Sequence, residues 1–372
     1  MKKSLDILYV THDSLLEGIG MSQIVPIVIG LSRNGWKVGV VSFEKNMQSD
    51  LLKKELADSG VQWMRHKFGR KGALGGLGRL LRLTVTLPKA RAFHCRGDLA
   101  GAACALRNRK NVLWDVRGLW IDQKLVIGSI SGWKPLIWFA RKLESMSARN
   151  ASAVTTLTSA VFPVLQKRNR TLTKNHKVIP TCTDLVKFSF SNDLPENKTL
   201  LLSGLYNDYY DLDSMRHFIQ EFRKVDDLGV VWCHGHEAER SILDVGENEI
   251  KTLRQDQMVK EITNSSFGMA ICKTGIGDSL SGVMPTKVAE FLAVGRPVVV
   301  SEGVGDLDNL LLSTRTGVIL KGDAEKAIQE LLVLLNDKDT PHRCRKLAET
   351  HFSMVNAIRD YDDLFKDLLK KA

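Results

Sequence analysis

The sequence predicts an α/β protein built from two doubly wound domains that face each other across a cleft. Three observations carry that expectation. The chain has 372 residues, which at roughly 150 residues per domain makes two domains the natural division. Short apolar runs alternate with helical stretches in two successive series, the pattern of parallel sheets connected by helical crossovers. Between the series, from Thr183 to Lys198, the periodicity gives way to Asp, Asn, Ser, Pro and Glu, the composition of a linker.

Leu5 to Val10 reads as the first strand, followed by a loop with Gly18 and Gly20 and a helix from Ser22 to Arg33 that ends at Gly35. Val38 to Ser42 is the next strand, completing a right-handed crossover unit. Val112 to Val116, Ala153 to Leu157 and Val178 to Ile179 continue the series. After the linker come Thr199 to Ser203, Val230 to Cys233, Gly268 to Cys272, Val298 to Ser301 and Gly317 to Leu320. Ile358, Tyr361, Leu364, Phe365 and Leu368 then recur at helical spacing, an amphipathic helix able to pack on a neighbouring surface. The expected domains are residues 1–185, residues 186–350, and a closing helix over 351–372 that crosses back toward the first domain. In open α/β sheets, ligands bind beyond the carboxyl ends of the strands, so the chemistry is expected there.

Composition excludes several classes. Hydrophobic residues are 44% and charged residues 26%, the balance of a globular chain rather than a disordered or fibrous one. No apolar run approaches the roughly 18 residues of a spanning helix, and the N-terminus lacks the cleavage pattern of a secretory leader, so a cytoplasmic protein is expected. The six cysteines (Cys95, Cys104, Cys182, Cys233, Cys272, Cys344) stand singly, without the paired spacing of a zinc site, and read as small buried hydrophobes.

The net charge of +11 is unevenly placed. Residues 1–180 carry 30 Lys and Arg against 11 Asp and Glu, while the remainder carries 23 against 31. From Arg65 to Lys110 twelve basic residues, Arg79 and Arg82 among them, face only Asp98. Nucleic acid would call for interleaved aromatics as stacking platforms, and only Phe68 and Phe93 are present, so no nucleic acid is expected. Leu74, Leu77, Leu80, Leu81 and Leu83 beside flexible glycines fit an anionic membrane surface better, where each basic residue adds about 1 kcal/mol. The plainer alternative is a solvated basic face.

Three glycine-containing turns stand where phosphate could be cradled: Glu17 to Gln23, Thr274 to Ser279 and Glu302 to Asp306. The first lacks the third glycine of a dinucleotide fingerprint, Gln23 standing in its place, and could be a simple turn with Ser22 as helix cap. The segment from Met284 to Val300 says most. Pro285 suits a helix start, Gly295 its end and Pro297 the entry to a strand. Val288, Phe291 and Leu292 form the core stripe and leave Glu290 off it. Glu290 is either an ordinary exposed carboxylate or one that accepts the two hydroxyls of a ribose while Lys287, Thr286 and the helix start meet phosphate. In the first half, His94 and Arg96, and Asp115 with Arg117, follow apolar runs at the same expected edge; a structural ion pair is the plainer alternative for the latter two.

Glu290 with Ala293, Gly295 and Pro297-Val298-Val299, preceded by Pro285-Thr286-Lys287 and followed by Gly303-Val304-Gly305-Asp306, resembles the donor-site segment of GT-B glycosyltransferases of family 4. Gly18 to Gln23, Ser42-Phe43-Glu44, His94-Cys95-Arg96, Trp114 to Gly118 and Ile179 to Asp184 with Phe188 resemble successive landmarks of its polysaccharide-synthesis branch. Leu202-Ser203-Gly204-Leu205 with Tyr209-Tyr210-Asp211 resembles the first strand and loop of the family's second domain. The resemblance implies two Rossmann-like domains and a retaining, metal-independent transferase with no cofactor. Its substrate would be a nucleotide-diphosphate sugar, and its acceptor a saccharide or lipid-linked molecule held mainly by the first domain. It implies donor contacts from Gly20, Ser22, Gly204, Lys273, Asp278, Ser279, Thr286, Lys287 and Glu290. Arg117, Asp115 and Lys287 would act in catalysis, and His94, Arg96, Arg79 and Arg82 would meet the acceptor or a membrane. The sequence departs from the pattern at Gly282, where the family carries the first of two glutamates; Asp278 or Ser279 is expected to substitute. Arg117 stands where a first-domain histidine is usual, and of the usual Arg and Lys pair only Lys273 offers a charge. A sugar-nucleotide epimerase of the same fold and a non-catalytic basic protein binding nucleic acid or membrane are the alternatives.

Overall fold

The structure, a computed structural model, describes residues 4–128, 130, 133–204, 206, 209–233, 249–251 and 255–370. The chain divides into two units, residues 1–180 with 354–372, and residues 181–353.

The first unit holds seven parallel strands: β1 (Leu5–Val10), β2 (Val38–Glu44), β3 (Gln62–Lys67), β4 (Ala90–Arg96), β5 (Val112–Val116), β6 (Ala153–Thr156) and β7 (His176–Val178), in the order β3-β2-β1-β4-β5-β6-β7. Its helices are α1 (Val25–Arg33), α2 (Asp50–Asp58), α3 (Gly72–Thr86), α4 (Asp98–Leu106), α5 (Trp120–Val126), α6 (Lys134–Asn150) and α7 (Val161–Arg168). The second unit holds β8 (Thr199–Ser203), β9 (Gly229–Cys233), β10 (Glu249–Lys251), β11 (Phe267–Ala270), β12 (Val298–Ser301) and β13 (Gly317–Leu320), again all parallel, in the order β10-β9-β8-β11-β12-β13. With it come α8 (Leu212–Val225), α9 (Gln255–Thr263), α10 (Thr286–Val294), α11 (Leu307–Thr314), α12 (Ala324–Asn336) and α13 (Thr340–His351); α14 (Met354–Lys370) returns to the first unit. Both sheets reverse direction beside their first strand, between β1 and β4 and between β8 and β11. Those are the switch points where open sheets leave a crevice.

Burial explains the pattern. β1, β2, β5, β6, β8, β11, β12 and β13 are buried almost throughout, as strands covered by helices on both faces must be. One first-unit core layer joins Leu8, Val10 and Phe93 to Leu80 and Leu83 of α3 and to Ala100 and Ala103 of α4. In the second unit Phe218, Phe222, Trp232 and Phe267 fill the equivalent space. Two glycines permit close approach. A Cβ on Gly268 would lie 2.4 Å from the Phe291 ring, so its absence lets α10 press on β11, and a Cβ on Gly30 would lie 2.5 Å from Ile358, so α14 lies directly on α1.

α14 is held by polar contacts as well. Trp36 Nε1 donates to Asp362 at 2.6 Å, and Lys177 pairs with Asp360 at 2.8 Å. All six cysteines are buried and none forms a disulfide. No described helix is long and apolar enough to cross a membrane.

Several local expectations change. Ser22 does not cap a helix: Gly20–Ile24 forms a π-helical turn running straight into α1, and the Ser22 hydroxyl donates to the Gly18 carbonyl at 2.7 Å. The Gly-rich stretch from Gly72 is ordered helix rather than flexible chain. Strands β3 and β4, absent from the sequence-based series, complete the first sheet.

Candidate functional site

At the carboxyl edge of the second sheet, β8 ends in Gly204, whose φ of +87° lies in the left-handed region that glycine tolerates. The chain then folds over the neighbouring strand. Asp211 N donates to the Ile271 carbonyl and Lys273 N to the Tyr209 carbonyl, each at 3.0 Å, so Tyr210 pairs with Cys272. Asp211 caps α8 by accepting from the Ser214 amide and hydroxyl. Tyr206 and Tyr210 are thereby fixed beside the end of β11.

Against them stands the start of α10. Pro285 sets its entry with φ −65°, and no side chain caps its first amides, which keep their partial positive charge available. Lys287 projects from this first turn. Its Nζ lies 4.0 Å from the Tyr206 ring centre and 4.6 Å from that of Tyr210, is buried, and has no hydrogen-bond partner. Burial pushes the Lys287 ammonium down to about 7, against the opposing pull of Cys272 and Glu290. Three residues on, and so on the same side of the helix, burial pushes the Glu290 carboxyl up to about 7, against Lys187 and Lys287. A desolvated amine without a hydrogen-bond partner, an uncapped helix start and a carboxylate with accepting capacity together suit a ligand that combines phosphate with hydroxyls.

The rest of this edge sorts the expected residues. Lys273 and Asp278 are exposed on the turn after β11, where Gly275 and Gly277 have φ of +70° and +66°; Thr286 is half-buried on the first turn of α10. Ser279 is no surface ligand: it is fully buried and its hydroxyl pairs with Tyr209 at 2.9 Å. The turn after β12 is no open amide cradle either, since Gly303 N donates to Asp308 and Gly305 N to the Leu280 carbonyl. A cavity of about 780 Å³ lined by Lys198, Arg223, Asp226 and Gly229 opens at the amino ends of β8 and β9, the wrong edge for this site.

The first unit's carboxyl edge carries a buried network. Asp115 Oδ2 lies 3.1 Å from His94 Nε2 and accepts from Arg117 Nε at 2.9 Å, while Oδ1 accepts from Thr155 at 2.9 Å and from Tyr361 at 3.4 Å; Arg117 also donates to the Tyr361 hydroxyl. Burial raises the Asp115 carboxyl, but Arg117, His94 and Arg96 outweigh it and hold Asp115 well below the usual carboxylate range. Burial keeps His94 below the ordinary histidine value. Its ring packs on Tyr9, Tyr361 and Phe365.

Six of the expected residues are held by contacts within the first unit. Asp115 is 1% exposed with both oxygens engaged, and Arg117 is clamped between it and Tyr361, so the pair joins the end of β5 to α14. His94 is fully buried and cannot touch acceptor or membrane. Arg96, buried, donates to Asp13 at 3.0 Å, and Arg79, also buried, donates to the Phe68 and Arg70 carbonyls; neither faces a membrane. Gly20 is buried with Ser14 O only 2.1 Å from where its Cβ would be, so its bareness serves chain packing, not ligand approach. Of His94, Arg96, Arg79 and Arg82, Arg82 is the exposed one.

Sequence reasoning missed Tyr206 and Lys187 at the second-unit site and Tyr361 in the first-unit network. Each meets its partner through tertiary folding, which no local spacing announces. Among the described residues no group of three or more His, Cys, Asp or Glu could hold a metal ion.

No protein-family profile matches the chain, and no curated protein matches it in sequence. Solved structures do match in fold. Sucrose-phosphate synthase from Thermosynechococcus elongatus superposes with a TM-score of 0.78 at 14% identity, covering 99% of this chain and all of that one. HepE from Anabaena, solved in complex with UDP-glucose, gives 0.68 at 12% identity over 99% of this chain and all of its own. WaaG, a glycosyltransferase involved in lipopolysaccharide biosynthesis, gives 0.64 at 11% identity over 96% and 99%. The two parallel-sheet units thus have the GT-B fold of such glycosyltransferases.

Proposed function

We propose that this chain is a retaining, metal-independent glycosyltransferase that takes a sugar from a nucleotide-diphosphate donor bound by the second unit. The acceptor is a saccharide or lipid-linked molecule bound by the first, in the synthesis of a cell-surface polysaccharide, with the protein working in the cytoplasm at the inner face of the membrane. One observation carries the donor site: the buried Lys287 amine, without a hydrogen-bond partner, stands at the uncapped start of α10, with Glu290 three residues on, beside the sheet's switch point. HepE, of the same fold, holds UDP-glucose.

Breaking the bond between sugar and phosphate builds positive charge at the anomeric carbon and negative charge on the departing diphosphate. Lys287, turned from the Tyr206 and Tyr210 rings onto the bound diphosphate, stabilises that developing charge together with the dipole of α10. Glu290 takes the two ribose hydroxyls. With glycine at 282, no glutamate from that position grips the sugar; exposed Asp278 on the neighbouring turn takes its part. Arg117 and Asp115 act at a distance, holding the first-unit edge in shape.

A thermal-shift panel of nucleotides and nucleotide sugars tests the proposal. A selective donor present at 100 times its Kd stabilises its unit by about 2.7 kcal/mol, a rise in Tm of roughly 5 to 10 °C, and Glu290→Ala abolishes most of it. No shift with any nucleotide sugar refutes the site. Conversion of the donor to its epimer without any acceptor would select the epimerase instead.

A further inference from the structure

The helix α3 has an outer face with no partner among the described residues. Leu74, Leu77, Leu81 and Val85 are 73%, 40%, 57% and 75% exposed. At 100° per residue they fall within an arc of about 80°. The opposite side of the same helix, Gly75, Arg79, Leu80 and Leu83, is buried on the sheet. The inward side is fixed in detail: a Cβ on Gly75 would strike the Arg70 carbonyl, and that same carbonyl accepts from Arg79 at 3.0 Å. The outward leucines are therefore displayed by a rigidly seated helix.

Charge says what meets them. From residue 59 to residue 97 the sequence contains no Asp or Glu and nine Lys and Arg. Of these Lys67, Arg70, Lys71, Arg82 and Lys89 are exposed. A second copy of such a face would bring like charges together, which opposes self-association. A single-stranded nucleic acid needs free aromatic platforms, yet the Phe68 ring is already covered by Arg79 at 4.1 Å and Lys45 at 5.5 Å, and Trp63 by Arg65 at 5.0 Å. An aliphatic stripe rimmed by cations matches the boundary of an anionic bilayer, where apolar side chains enter the acyl edge and basic ones meet headgroups.

We infer that the outward face of α3 is a docking surface for an anionic lipid bilayer, with Leu74, Leu77, Leu81 and Val85 as its inserted side chains and Arg82 among its headgroup contacts. The inference deepens the reading of a lipid-linked acceptor, but it is measured without donor or acceptor, so either can fail alone.

The test is sedimentation of the purified chain with phosphatidylglycerol–phosphatidylcholine vesicles and with phosphatidylcholine vesicles, at low and high salt. The chain binds the anionic vesicles, at least tenfold more weakly at high salt, and binds the neutral ones poorly. Leu74→Ser/Leu81→Ser lowers binding by tenfold or more at unchanged Tm. Arg82→Glu, which alters two charges at about 1 kcal/mol each, lowers it by more than tenfold. Three results would overturn the inference: no binding to anionic vesicles at low salt, undiminished binding by the double serine variant, or a wild-type dimer that the serine substitutions dissociate.

Discussion

Lys287 and Glu290 are both held near pH 7, from opposite directions and for one reason, removal from water. That gives ligand binding a signed dependence on pH. At pH 8 the free amine is mostly neutral, and an arriving diphosphate favours its charged form, so binding takes up a proton. At pH 6 the amine is already charged while Glu290 is largely neutral; ribose hydroxyls favour the carboxylate, so binding releases one. Calorimetry with a UDP-sugar in buffers of different ionisation enthalpy checks this, because the diphosphate diester does not itself titrate there. Uptake at pH 8 should disappear in Lys287→Met and persist in Glu290→Gln; absence of any proton exchange at pH 8 would remove the amine from the site. The two groups also bear on stability, with opposite signs. Glu290, raised, weakens the fold as pH climbs from about 4.5 to 7, and Lys287, lowered, restores stability from about 7 to 10.5.

Among the elements, α14 joins the first unit through a hydroxyl. Tyr361 serves Arg117 and Asp115 together, so Tyr361→Phe leaves a buried guanidinium short of an acceptor, at a cost of about 1 to 3 kcal/mol. Urea unfolding measures that loss, and the nucleotide affinity of the second unit stays as it was. A weakened affinity at unchanged stability would give Tyr361 a role in binding instead. Which elements could be read from sequence follows from burial. Thr199–Ser203 and Val298–Ser301 lie inside the second sheet and Gly317–Leu320 forms its buried edge, all as apolar runs, and such runs stand out. β3 is an edge strand, polar and half-buried, reading Gln-Trp-Met-Arg-His-Lys. β4 carries His94 and Arg96 among its core residues because the Asp115 and Asp13 carboxylates receive them. Neither looks like a strand without its partners. The helix nature of α3 was hidden by four glycines, and its inward Arg79 by the backbone carbonyls that only the fold supplies.

At the scale of the whole molecule, one architecture occurs twice with different electrostatics. Each sheet runs outward on both sides of its first strand, and the excess positive charge sits in the first half of the chain. The helix α10 was legible because Pro285, Lys287, Glu290 and Gly295 follow one another along a single element, where local rules apply. The first-unit network was not legible because Asp115 and Arg117 find a partner on a helix some 240 residues further on. A crystal structure with the nucleotide sugar that most stabilises the protein tests the central claim directly. The donor is expected with its ribose hydroxyls on Glu290 and its diphosphate between Lys287 and the first amides of α10. A nucleotide bound elsewhere, with Lys287 still enclosed by Tyr206 and Tyr210 and Glu290 untouched, would contradict it.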